Sequence, residues 1–234
     1  MKGRKPLCLP GREAFGRRAV ECGCRERILN MKYGMNARVY AWAFTKLLRE
    51  YYAKNAPDQD LGEGFRGVKR EYRQMVLRTP GLGGSSNEAN LIGACYFFAM
   101  ARVIPGMTPE RMDDIIQKCI RSDLMVKLHQ GQKKMGTLFS RKEQEKKLAE
   151  AESSHHSPYE MDWEFTYQPG DNEFYLTYTK CGICALAKKE QMEDYLPCLC
   201  RMDFPKYELV GARLIRTKTL AAGDDCCNFH VIRE

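Results

Sequence analysis

The sequence lacks several things that would have settled its class at once. It has no uninterrupted apolar run of about 18 residues, the length a membrane-spanning helix needs. The longest candidate, residues 89–104, is broken by Asn90 and Arg102 and reads as a buried helix. The basic opening is not followed by the apolar stretch of a signal peptide, so a cytoplasmic protein with reduced thiols is expected. There is no G-x-G-x-x-G and no P-loop, so no motif points to a nucleotide. No internal repeat is present, which argues against solenoids and propellers. Histidine is scarce, with 4 residues, and the His155-His156 pair sits in a polar stretch, where a solvated reading is the plain one.

What is present is globular. The chain has 234 residues, 44% hydrophobic and 29% charged, enough for one domain with an appendage. The formal charge is +8, yet nine Lys or Arg against three Glu fall within residues 1–32. Most of the excess therefore belongs to a basic arm, residues 1–30, rich in Pro and Gly. The remainder is nearly balanced, which argues against nucleic acid as the partner. Residues 31–234 read as a single domain, helical over 31–158 and sheet-forming over 159–234.

The periodicity supports that division. Val39, Ala43, Leu47 and Tyr51 recur at four-residue spacing, predicting a helix over residues 36–53. A second helix is expected over 65–77. A third, over 88–103, is apolar nearly all round and would be the central core helix, with Ser86 or Asn87 as its cap. Thr108-Pro109 opens a fourth. Residues 127–152, dense in Lys, Glu and Gln, read as an exposed helical stretch. Beyond residue 160 the pattern alternates. Strands are expected at 163–167, 174–179, 210–220 and 227–232, with a short helix over 184–195. Helices first and a meander later give an α+β fold, N-terminal helices packed on a C-terminal antiparallel sheet.

The sequence holds 11 cysteines, and six of them fall between Cys181 and Cys227. Cys181-x-x-Cys184, Cys198-x-Cys200 and Cys226-Cys227 admit three readings. Paired thiolates on tight turns can ligate zinc, and Cys22-Gly-Cys24 would be a further pair. A thiol at a strand-to-helix switch, such as Cys181, can become a nucleophile if a cation such as Arg216 lowers its pKa. Or the cysteines are small buried residues, as the apolar settings of Cys95 and Cys119 suggest.

The end of the chain carries a sharper signal. Leu199-Cys200-x-x-Asp203 is followed by Arg216-Thr217-x-Thr219-Leu220-Ala221-x-Gly223, then Cys227-Asn228-Phe229. Together with Cys181 this resembles the L-2-amino-thiazoline-4-carboxylate hydrolase family, firmly over residues 174–234. One departure stands out: Asn228 occupies a position where the family usually has Asp. Cys184, Cys198 and Cys226 are extras. A broader likeness is to 4-vinyl-reductase-type ligand-binding domains of TRAPP-like fold. Some of these hold zinc, but two of their ligand positions correspond to Arg216 and Thr219. That favours an anion site, so no metal and no cofactor is expected, with zinc kept as the alternative.

The resemblance implies a hydrolase that opens a small carboxylated ring by adding water to the carbon between N and S. It places Cys181, Cys200, Asp203 and Cys227 in the catalytic set. Asp203 would activate water, or Cys181 or Cys200 would attack directly. Arg216, Thr217 and Thr219 would bind a small anionic, carboxylated substrate. Strand alternation puts Arg216 on the face opposite both threonines, so all three share one pocket only across a bulge. The reading from a different class is a non-catalytic ligand-binding or sensor domain of the same fold. A homo-oligomer stays open.

Overall fold

The computed structural model describes residues 29–57 and 61–234. Of the basic arm, residues 1–28 with the Cys22–Cys24 pair lie outside that range. Leu29 and Asn30 lie inside it, the Leu29 carbonyl accepting from Gly81 N at 2.9 Å and Asn30 bridging Pro80.

Helix α1 spans Met35–Asn55, α2 Gly62–Arg78 and α3 Glu88–Val103. Every residue of α3 from Leu91 to Met100 is buried, as its all-round apolarity requires. It packs against α1, α2 and a later helix, Gly182–Glu190. Burying a side chain such as Phe98 contributes about 1.5–3 kcal/mol, so this helix anchors the core. The cap of α3 departs from expectation. Asn87 makes no capping bond; its side-chain amide donates to Asp162 Oδ1 at 2.9 Å instead. Helix α4, Pro109–Ile120, starts as read, with Thr108 Oγ1 accepting from Arg111 N at 3.2 Å. The polar stretch that follows holds two helices. These are α5, Asp123–Met135, and α6, Arg141–Ser154, separated at the left-handed Gly136 (φ 55°).

Four antiparallel strands form a sheet in the order β1-β2-β4-β3. They are β1 Glu164–Gln168, β2 Glu173–Lys180, β3 Ala212–Ile215 and β4 Cys227–Arg233. Their buried residues alternate, with Phe165 and Tyr167, Phe174 and Leu176, Ala212 and Leu214, and Cys227, Phe229 and Val231 turned to the core. The fold is α+β, with helices mostly N-terminal and strands C-terminal.

The segment between β2 and β3 is more helical than its sequence pattern. Helix α7, Gly182–Glu190, ends at Gln191 in the left-handed conformation (φ 58°). Two short helices follow, α8 Leu196–Arg201 and α9 Asp203–Leu209, each with a proline in its first turn. Strand β3 stops at Ile215, because Thr219 caps a tight 3-10 turn at residues 220–222 rather than continuing the ladder. No helix among the described residues is long and apolar enough to cross a membrane.

Candidate functional site

A cavity of about 570 Å³ opens between the helical part and the sheet. Tyr40, Phe44 and Leu47 of α1 and Ala94 and Phe97 of α3 form an apolar wall. Facing it are Trp163, Tyr178 of β2, Leu199 of α8 and Phe229 of β4. Polar groups converge on this largely apolar space: His129, Cys181, Cys184, Cys200, Asp203, Lys206 and Tyr207. A mostly apolar cleft with a few placed polar groups is the usual form of a small-molecule site.

Cys181 stands where β2 hands over to α7, in extended conformation. The switch is tight because residue 182 is glycine. A Cβ there would collide with the Met161 carbonyl oxygen and sit 2.7 Å from the Trp163 ring. The Cys181 thiol is pushed well above the ordinary thiol range, first by the Cys184 thiol beside it and then by burial. The amides of Cys184 and Ile183 pull the other way and lose. Cys200 is pushed up to about 12 by burial, with Asp203 adding and Arg216 opposing.

Asp203 opens α9 and accepts a 2.8 Å hydrogen bond on Oδ2 from Arg216 Nη1. The other guanidinium arm, Nη2, donates to the Cys200 carbonyl at 2.8 Å. The guanidinium carbon lies 5.0 Å from the ring centres of both Phe204 and Phe229. Arg216 is therefore enclosed, with 4% of its side chain exposed against 29% for Asp203. Asp203 lines the cavity; Arg216 stands behind it. Burial raises the Asp203 carboxyl above its usual range, and the Lys206 and Arg216 charges offset this only in part.

Of the other motif residues, Leu199 and Phe229 wall the cavity, whereas Cys227, Thr217 and Thr219 do not line it. Cys227 is buried on β4 with Sγ accepting from Leu220 N at 3.2 Å, and burial raises its thiol. Thr217 is exposed, and its Oγ1 accepts from Asn228 Nδ2 at 2.9 Å. Thr219 caps the 3-10 turn, accepting from Ala222 N at 3.2 Å and donating its own N–H to Asp224 Oδ2 at 2.8 Å. Asn228 holds this loop, its Oδ1 accepting from Thr217 N at 3.0 Å and Lys218 N at 2.7 Å. So the structure brings Cys181, Cys200 and Asp203 to one cavity, puts Arg216 behind them, and leaves both threonines in the neighbouring loop.

Three cavity residues carry no motif. Lys206 supplies a cation one helical turn after Asp203, a spacing legible only once α9 is known. Tyr207 has its hydroxyl proton held firmly by burial. His129 Nδ1 lies 2.8 Å from the Met125 carbonyl. A carbonyl only accepts, so Nδ1 donates in this contact and Nε2 is the ring nitrogen left to face other partners. Among the described residues, no group of three or more His, Cys, Asp or Glu is placed to share a metal ion.

A family model described as L-2-amino-thiazoline-4-carboxylic acid hydrolase matches residues 85–231, well over half of the chain. The chain belongs to this family. No curated protein matches it. The match carries the likeness upstream of the motif, through α3 to β4. The α1 wall of the cavity lies outside it.

Proposed function

We propose that this member of the family is a hydrolase for a small carboxylated ring of the cyclic amidine or thiazoline type, working in the cavity between α1 and the sheet. The observation that carries this reading is that Cys181, Cys200 and Asp203, three residues singled out by sequence, line one cavity together with Lys206 and His129. The same cavity draws its walls from α1 through β4, which supports residues 31–234 as one working unit.

The substrate ring lies on the apolar wall of Tyr40, Phe44 and Phe97, and its carboxylate meets the Lys206 ammonium. Arg216 serves as a positioning residue, since its donors are committed to Asp203 and the Cys200 carbonyl. Asp203 takes a proton from water as the oxygen adds to the carbon between N and S. The tetrahedral carbon then releases sulfur, which takes up a proton and opens the ring to an N-carbamoyl thiol. A carboxyl raised by burial is a better base than an ordinary aspartate, which suits it to the task. The elevated thiol pKa of Cys181 and Cys200 favours water over a resting thiolate as nucleophile. The residues need no cofactor for this chemistry.

The rival reading is a ligand-binding domain without catalysis, which the apolar wall would serve equally well. Its mark would be a pocket with no polar convergence, and this cavity has polar convergence. The deciding experiment is turnover of L-2-amino-thiazoline-4-carboxylate by purified protein beside Asp203→Asn, Cys181→Ala and Cys200→Ala, with metal assayed on the same sample. Turnover lost in folded Asp203→Asn supports the hydrolase. Saturable binding without turnover supports the ligand-binding domain.

A further inference from the structure

Cys181 and Cys184 flank the first turn of α7, one immediately before the helix and one at its third residue, and both line the cavity. Positions at this spacing are side-chain neighbours, the relation a capping box exploits. The proximity has a consequence: the Cys184 thiol is the largest influence on the Cys181 proton. The other described cysteines are placed differently. Cys95, Cys119 and Cys198 are buried in the core. Cys226 immediately precedes β4 and Cys227 is buried as its first residue, its Sγ accepting from Leu220 N. Cys200 lies on a separate helix, α8, and lines the same cavity.

We infer that Cys181 and Cys184 form a reversible dithiol site, closing to a disulfide by exchange with a low-molecular-weight disulfide such as oxidised glutathione. The Cys181 thiolate attacks one sulfur of glutathione disulfide, forming a mixed disulfide and expelling one glutathione thiolate. The Cys184 thiolate then attacks the Cys181 sulfur and expels the second. Two electrons pass from the protein to glutathione, and the two thiol protons end on the two glutathione molecules.

The surroundings suit the exchange. Both cysteines line the cavity and are only partly buried, while the core cysteines are shielded. The amides that open α7 oppose the rise in the Cys181 pKa without outweighing it. Gly182 fixes the turn, because no side chain fits between it and Met161 and Trp163. The high proton affinity of Cys181 means that the reduced form is not stabilised as a thiolate. A disulfide here therefore resists reduction more than one built on an acidic thiol. The pairing itself does not depend on the hydrolase reading. Its effect on turnover does, since closure removes two thiols from the wall of that site.

The test uses the full-length protein, equilibrated in a series of oxidised and reduced glutathione mixtures, quenched with N-ethylmaleimide in denaturant and digested with trypsin. Both cysteines fall in one tryptic peptide, residues 181–188, because Lys180 precedes it and Lys188 ends it. The expected result is a peptide two hydrogens lighter and unlabelled under oxidising mixtures, regaining both labels after dithiothreitol. The core cysteines Cys95 and Cys119 should stay fully labelled throughout. In Cys184→Ser, Cys181 should stop at the glutathione adduct. Two labels on the 181–188 peptide at every mixture would overturn the inference, as would a cross-link from Cys181 to Cys200 in its place. Turnover of the thiazoline substrate, read on the same samples, is a separate result: loss of the hydrolase reading leaves the peptide masses unchanged.

Discussion

The Arg216 guanidinium and the Asp203 carboxylate meet at 2.8 Å, with the arginine sealed between Phe204 and Phe229 and the aspartate facing the cavity. The pair separates two roles that the motif alone runs together. One member can touch a ligand. The other can only hold the first in place.

Arg216→Ala should therefore cost stability as well as turnover. Removing one partner of an enclosed ion pair leaves the other charge uncompensated, a loss of about 3 kcal/mol. Urea denaturation should show it, and Arg216→Lys should recover little, since an ammonium cannot reach both Asp203 and the Cys200 carbonyl in the same plane. An Arg216 that gripped substrate would instead raise KM with the denaturation midpoint unmoved.

Asp203→Asn should abolish turnover and, because it leaves the enclosed Arg216 charge without its carboxylate, cost stability of the same order, about 3 kcal/mol. In the wild type, activity should fall as pH drops through the Asp203 pKa, because the base must be ionised. That pKa is raised by burial, so the acid limb of the pH profile should lie above the ordinary aspartate range. An acid limb at or below that range would remove Asp203 from the role.

A second charged cluster sets the acid stability. Glu190, with 6% of its side chain exposed, accepts from Arg78 at 2.6 Å and Arg102 at 2.9 Å, and both arginines also hold Glu71. Burial pushes both carboxyls up, but the arginine bonds and charges outweigh it, so both end below 4.5. Folded pKa values below the unfolded ones give stability that is present above about pH 4.5 and lost as pH falls through the folded values. Glu190→Gln should flatten that acid limb and cost about 3 kcal/mol at neutral pH. An unchanged acid midpoint would show that the cluster contributes nothing.

Buried thiols set the alkaline side with the opposite sign. Cys95, Cys119 and Cys200 are pushed up to about 12 by burial, against 9.0 for a free thiol. Between those values the unfolded chain has lost protons that the folded chain keeps, so stability should decline as pH rises from about 9. Cys95→Ala should make the decline shallower, read as the denaturation midpoint against pH.

Asn228 was the one visible departure from the family pattern, and its surroundings explain why it is tolerated. Its side chain pins the Thr217–Lys218 backbone from outside the cavity. A carboxylate would accept the same two N–H groups, with the Thr217 hydroxyl turning to donate. Asn228→Asp should leave turnover and Tm nearly unchanged. Asn228→Ala should cost about 1–2 kcal/mol through two orphaned N–H groups. A large loss of turnover in Asn228→Asp would place this residue in the chemistry after all.

The long helices and the strand alternation were legible because burial imposes a period on the residues. Leu91 to Met100 read as core and are core. Helices α8 and α9 were not legible, because six or seven residues span less than two turns, too few for a burial period to repeat. That gap hid the site. Without α9, Lys206 is an ordinary surface lysine and Asp203 a turn residue. His129 was lost inside a charged stretch whose division at Gly136 has no strong sequence mark. The motif located Cys181, Cys200 and Asp203, since local sequence pins strand and helix ends. It could not say that Arg216 points inward to Asp203, which depends on Phe204 and Phe229 closing around it.

Lys206 is the cavity's cation, and its role can be separated from that of Arg216. If its ammonium meets the substrate carboxylate, Lys206→Met removes one charge-assisted hydrogen bond worth about 1.5–3 kcal/mol. That should raise KM by about 10- to 100-fold while kcat moves little, because the carboxylate keeps its charge through the reaction. A ring analogue without the carboxylate should bind wild type and Lys206→Met equally. The same variant should also shift the acid limb upward, since the Lys206 charge lowers the Asp203 pKa and its loss lets that pKa rise. A KM change for the carboxylated substrate alone, together with that upward shift, would fix Lys206 as the carboxylate ligand. An equal loss for both ligands would mean that the side chain only shapes the cavity.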